Sequence, residues 1–177
     1  MDNVIEGFLG QQYEEIMALA ADSDRLFVQP LPGEYPPSRY LVRIQCTGVV
    51  CDDGGPQILD TNFDLGVWLP GDYLRRANPA QVLTWLGPRS VWHPNIGPMV
   101  RSPSDPIFIC VGRLVPGTPL VDLIYQCWEI ITFNKVTMRE DDALNQAACI
   151  WARANQGRFP LDPRPLRRAH FEVKVIA

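Results

Sequence analysis

Two alternating runs around one tight turn restrict the fold of this chain more than any other feature. From Arg39 to Cys46 the residues Tyr40, Val42, Ile44 and Cys46 share one side, and from Asn62 to Leu69 so do Phe63, Leu65, Val67 and Leu69. A period of two marks a strand with one buried face. Between the runs stands Asp52-Asp53-Gly54-Gly55, a strong turn signal because Asp and Gly tolerate the backbone angles of a short hairpin loop. The pair reads as a hairpin, which directs the chain toward an antiparallel meander.

The rest of the chain is organised around that meander. Residues 5–20 place Ile5, Phe8, Leu9, Tyr13, Ile16, Met17 and Ala20 near one face at helical spacing, the pattern of an amphipathic helix. Pro30, Pro32, Gly33, Pro36 and Pro37 define a loop. A third short strand is expected over Gln81 to Leu86, after Pro79. Residues 87–106 are rich in Pro and Gly, lack a period and read as an extended loop. Thr118-Pro119 offers a hydroxyl cap followed by Pro at the first helical position. The stripe Leu120, Leu123, Ile124, Cys127, Trp128 and Ile131 is the cleanest helical pattern in the chain. A second late helix is expected to start near Asp141 or Asp142 and to carry Leu144, Ala147, Ala148 and Trp151 on one face. Prolines interrupt regular structure over 158–165, and Phe171 to Ile176 alternates as a short terminal strand would. Helix, strands, loop, then two helices is the order of an α+β layer rather than of βαβ winding.

With 177 residues, the chain is expected to be one domain, 1–177, with a core over about 5–155 and a short basic tail. A net charge of −4 does not favour non-specific nucleic-acid binding. No apolar run approaches membrane-spanning length, and the N-terminus lacks the basic and apolar regions of a secretory signal. Five cysteines at irregular spacing do not suggest a disulfide framework. A cytoplasmic protein with reduced thiols is the expectation. Cys46 and Cys51 lack two further ligands at comparable spacing for zinc, so neither metal nor cofactor is expected. Cys127 and Cys149 fall on the apolar sides of their helices. Residues 1–24 carry only acidic charges, whereas residues 151–177 are dominated by arginine. Two solvated faces explain that asymmetry; two different partners are the other reading.

Chemistry is suggested by His93-Pro94-Asn95-Ile96, with Cys110 fifteen positions after the asparagine in Phe108-Ile109-Cys110-Val111-Gly112. A thiolate can carry an acyl group as a thioester, and a side-chain amide can donate to the oxyanion formed when that group is attacked. The competing reading is a structural cysteine between Ile and Val, beside an Asn that serves its own turn.

Together these segments resemble the ubiquitin-conjugating (E2) family. His93-Pro94-Asn95-Ile96 stands where E2 enzymes carry their His-Pro-Asn motif, and Ile109-Cys110 where they carry the active cysteine. Asp142-Ala143-Leu144-Asn145-Gln146-Ala147-Ala148 is similar to the family's Asp-Pro-Leu-Asn-x-x-Ala-Ala segment. The resemblance covers roughly 5–155 and implies the E2 (UBC-like) fold. It implies that Cys110 accepts a ubiquitin-like protein from an E1-like activating enzyme, then passes it to an amine on a protein target. On this resemblance Asn95 donates to the oxyanion or braces the loop, and Asp142 orients or desolvates the incoming lysine, unless it only caps a helix. Asp141 is the close alternative to Asp142. His93 is structural, and His170 reads as a surface residue. Partners would be the ubiquitin-like protein, the activating enzyme and the target, with no nucleic acid and no membrane.

The chain also departs from the family pattern. The asparagine-to-cysteine gap is longer than usual, as if residues 100–106 were inserted; the first helix is acidic; Gly71-Asp72-Tyr73-Leu74 replaces a Tyr-Pro-Phe segment; Gly97 stands where larger residues are common; and a further helix is missing from the tail. These departures resemble divergent bacterial E2-like enzymes from operons that conjugate a ubiquitin-like protein in antiphage defence. A catalytically inactive E2-like binding module is the alternative. A cysteine hydrolase with a Cys–His pair is the weakest reading, because the chain has only two histidines.

Overall fold

Alternation, caps and one long hairpin build a mixed α+β fold, seen in a computed structural model that describes residues 3–98 and 106–168. In order these are α1 (Asn3–Ala21), β1 (Leu26–Pro30), β2 (Arg39–Asp52), β3 (Gly55–Trp68), the single turn α2 (Pro79–Val82), β4 (Leu83–Gly87), β5 (Ile96–Pro98), β6 (Ile107–Ile109), α3 (Leu120–Ile131) and α4 (Gln146–Ala154), followed by a 3-10 turn, Gln156–Arg158.

The predicted hairpin is the spine of the molecule. β2 and β3 pair antiparallel from Arg39↔Trp68 to Asp52↔Gly55. At the turn Asp52 Oδ1 accepts the Gly54 N–H at 2.9 Å, the local bond that favours Asp in such loops. β1 and β4 complete a four-stranded meander in the order β1-β2-β3-β4. β1 had no sequence signal of its own: it is short, ends on a proline and takes its register from β2. The third strand lies at 83–87 rather than 81–86, because Asn78 accepts the Ala80 N–H and starts the α2 turn at Pro79.

The inward residues of β2 and β3 are those the alternation selects; Tyr40, Val42, Ile44, Cys46, Phe63, Leu65 and Val67 are all buried, as is Leu69 just after β3. They form one cluster with Ile5, Leu9, Ile16 and Leu19 of α1 and the apolar stripe of α3. The start of α3 corrects one expectation. Thr118 does not cap it; its hydroxyl donates to the Val115 carbonyl. The Leu120 N–H instead donates to Oε1 of the buried Gln12 at 2.6 Å, so α1 caps α3 through the core.

α4 also starts later than expected. Asn145 is its cap, accepting the Ala148 N–H at 3.0 Å, and neither Asp141 nor Asp142 takes that place. Its buried residues are Ala148, Cys149 and Ala152; Ala147, expected inward, is exposed. After α4 the chain folds back onto the body. Leu166 joins the main cluster, while the buried Asp162 accepts the Thr47 N–H at 2.9 Å and pairs with Arg164. Burial alone would push the Asp162 carboxyl up, but its bonds from Arg164 and Thr47 hold it below the usual range. The acidic and basic ends also meet each other: Arg167 pairs with Asp22 at 2.6 Å, and the Arg168 N–H donates to the Asp22 carbonyl. The terminal strand expected over Phe171 to Ile176, His170 and most of the segment 100–106 lie outside the described residues. Among the described residues no helix is long and apolar enough to cross a membrane.

Candidate functional site

The expected loop over 87–106 is in part a hairpin, and this brings the two chemical residues together. β5 and β6 pair antiparallel with Ile96↔Ile109 and Pro98↔Ile107. In that register Asn95 stands opposite Cys110. The Cys110 N–H donates to the Asn95 main-chain carbonyl at 2.7 Å. Fifteen residues of separation therefore collapse to a single rung.

The turn before β5 is built by local bonds. Pro94 fixes its own φ, the Ile96 N–H closes on the His93 carbonyl at 3.1 Å, and His93 Nδ1 accepts the Asn95 N–H at 3.0 Å. Since Nδ1 is the acceptor, the imidazole proton sits on Nε2, which is buried with no partner among the described residues. The ring meets Phe133 edge-on, with centroids 4.2 Å apart. Burial pushes the His93 pKa down to about 3. The imidazole is neutral and its acceptor nitrogen is occupied, so it does not offer a base to Cys110.

A second, smaller core lies behind the turn. Val49, Phe133 and Ala152 pack with Trp92, Trp151, Phe159 and Leu161. Phe133 takes φ 61, in the left-handed region where an aromatic residue is strained. That kink ends α3 and directs residues 134–137 toward the site. The Lys135 N–H closes on the Glu129 carbonyl at 2.9 Å, and the Lys135 ammonium donates to the Val111 carbonyl at 2.8 Å. Gly112 follows at φ 90, and its freedom lets the chain turn away just after Cys110.

The Asn95 side chain is fully engaged. Its Oδ1 accepts the Thr137 N–H at 2.9 Å; its Nδ2 donates to Thr137 Oγ1 at 3.0 Å and to the Cys110 carbonyl at 3.3 Å. The Thr137 N–H can only donate, so it fixes which way the amide faces. In this arrangement Asn95 braces the cysteine; donation to an oxyanion requires the bond to the Cys110 carbonyl to open. Neither Thr137 nor Lys135 carried a sequence signal, because their bonds span 42 and 24 residues.

Cys110 is exposed, whereas Cys46, Cys127 and Cys149 are buried and Cys51 is half-buried. Burial pushes the Cys46 thiol strongly up and the Cys127 thiol to about 12, leaving neither available as a thiolate near neutral pH. An exposed thiol on a braced rung is accessible to an electrophile from solvent. Asp142 is exposed as well. Its carboxylate stands 3.3 Å from Arg139, which also pairs with Asp141 at 2.5 Å and holds the Asp141 carboxyl below its usual range. The segment around Asp142 is tied to the site by the Leu144 and Asn145 N–H groups, which donate to the Pro94 carbonyl at 2.9 and 3.2 Å. The structure joins Asn95 to Cys110 directly and links the Asp142 segment to the site through the Pro94 carbonyl.

Gly97, a departure from the resembled pattern, has a packing reason: a Cβ there would lie 3.2 Å from the Leu144 carbonyl oxygen. Among the described residues no group of His, Cys, Asp and Glu could hold a metal ion. Comparison with protein-family models, curated proteins and solved structures found no match for this chain.

Proposed function

We propose that this protein is an E2-type carrier that holds a ubiquitin-like protein as a Cys110 thioester and passes it to an amine on a protein target. The observation that supports this reading best is the rung between Asn95 and Cys110, which leaves the thiol exposed while its own peptide groups are held.

In the loading step the Cys110 thiolate attacks the carbonyl carbon of the activating enzyme's thioester. A new C–S bond forms, the old one breaks, and the departing sulfur takes the proton that Cys110 released to solvent. Exchange between thiols is nearly balanced, so docking rather than a strong base governs it. In transfer, an amine nitrogen attacks the same carbon, the C–N bond forms, Cys110 leaves as thiolate and the amine gives its extra proton to water. Asp142, in solvent on the segment tied to Pro94, is the group we assign to orient the amine.

A non-catalytic E2-like binding module is the second reading. The observation on its side is that both Asn95 amide hydrogens are already committed. Incubation with a competent activating enzyme, ATP and the ubiquitin-like partner separates the two. An adduct that is lost on thiol reduction and absent in Cys110→Ala supports the carrier. Its absence from the unaltered protein leaves the binding module. Genes for an adenylating enzyme, a ubiquitin-like protein and a metallo-isopeptidase beside this one would support a role in bacterial antiphage defence.

A further inference from the structure

The peptide groups around Cys110 are held from two sides by different parts of the chain. Asn95 holds the N–H and carbonyl of Cys110 itself. The next carbonyl, that of the buried Val111, is held from the other side, by the Lys135 ammonium at 2.8 Å. Lys135 is not presented on a loose surface turn. Its N–H closes on the Glu129 carbonyl, its neighbour Phe133 is locked at φ 61 between the His93 and Phe159 rings, and Thr137 two residues on is bonded twice to Asn95. The ammonium also lies 4.0 Å from where a Cβ on Gly112 would stand, so it contacts the reversal that follows the cysteine.

We propose that Lys135 is a positioning residue for acyl transfer at Cys110, fixing the Val111–Gly112 peptide just beyond the nucleophile as Asn95 fixes the peptides on either side of it. The inference rests on the carrier reading. It follows from a contrast between the two neighbours of the site. Val111 is buried, yet Gly112 beyond it, at φ 90, has the backbone freedom to swing the Val111–Gly112 peptide. A charge-assisted bond from the segment locked after α3 to the carbonyl of that peptide restrains the swing. A thiol that only meets a small alkylating agent needs no such restraint. Attack on a thioester held by a docked partner does, because misplacement on the order of 1 Å is enough to cost a large factor in rate.

The test uses the full chain, its Lys135→Met and Lys135→Arg variants, the activating enzyme with ATP and the ubiquitin-like protein, alkylation by iodoacetamide, and amide hydrogen exchange over residues 110–113. For Lys135→Met we expect faster exchange in that segment, an unchanged alkylation profile against pH, and thioester formation and discharge slowed roughly tenfold. Lys135→Arg should restore much of the loss, since a guanidinium can reach the same carbonyl. Lys135→Met with wild-type exchange, or with faster exchange but wild-type transfer, overturns the proposal while leaving the carrier reading intact. Parallel loss of alkylation, transfer and thermal stability also overturns it, because the lysine would then be holding the fold. No thioester on the unaltered chain overturns the carrier reading and the proposal together.

Discussion

Asn95 and Cys110 exchange two bonds across one rung: the Cys110 N–H donates to the Asn95 carbonyl at 2.7 Å, and Asn95 Nδ2 donates to the Cys110 carbonyl at 3.3 Å. A third bond, from the Thr137 N–H, sets the amide's orientation. Removing the amide therefore strands groups on both neighbours. Asn95→Ala should destabilise the protein by about 1–3 kcal/mol, the cost of leaving partly buried polar groups unpaired, and should slow loading and transfer together. Urea melts and single-turnover assays measure both. Normal loading with selectively slow transfer would instead assign Asn95 to the oxyanion.

His93 makes the fold sensitive to acid. Its folded pKa, about 3, lies below the ordinary value near 6.5. Between those limits the unfolded chain binds a proton that the folded chain does not, so stability rises with pH. On acidification from pH 6.5 the protein should lose up to about 1.4 kcal/mol per pH unit from this residue. Protonation must also break the bond from the Asn95 N–H, because it consumes Nδ1. Urea midpoints at pH 7 and 5 should differ less in His93→Gln than in the parent. An equal slope in both would mean that His93 is not the group titrating.

Asn145 and Asp142 divide two roles that one Asp was expected to combine. Asn145→Ala removes the observed α4 cap and should cost about 0.5–2 kcal/mol. Asp142→Ala removes an exposed ion pair and should change stability by less than about 0.5 kcal/mol. Thermal denaturation of the two variants gives the comparison, and a larger loss in Asp142→Ala would return the capping role to it.

Gln12 joins two helices that no local pattern connects. It is buried, and its side chain is the partner of the Leu120 N–H. Gln12→Leu should destabilise by about 1–3 kcal/mol despite its apolar gain, because that N–H is left in the core unpaired. Hydrogen exchange at Leu120 should rise in step with the loss of stability.

Gly97 tests how closely β5 approaches the α4 segment. Gly97→Ala places a methyl 3.2 Å from the Leu144 carbonyl oxygen, and the Leu144 peptide is held by Pro94. Neither backbone can yield freely, so a loss of about 1–3 kcal/mol is expected. A neutral result in a urea melt would show that the turn can shift without cost.

The inward faces of β2 and β3 and the stripe of α3 were legible because burial imposes a period on neighbouring residues, and period is written in order along the chain. Tyr40, Val42, Ile44 and Leu123, Ile124, Cys127 are such positions. So was the α+β class, which follows from the order of those elements. The site was legible as two separate motifs, at Asn95 and Cys110. Their contact was not, since it depends on a register between β5 and β6 that only pairing defines. β1 had too few residues to show a period. The helix caps Gln12 and Asn145, and the braces Lys135 and Thr137, are chosen by which backbone groups packing leaves open. A hydrogen bond across 42 or 108 residues leaves no local trace. The sequence by itself determined the inward faces of β2 and β3, the apolar faces of α1 and α3, and which thiol to consider; only the tertiary structure decided which residues hold that thiol in place, because those bonds depend on packing between distant segments.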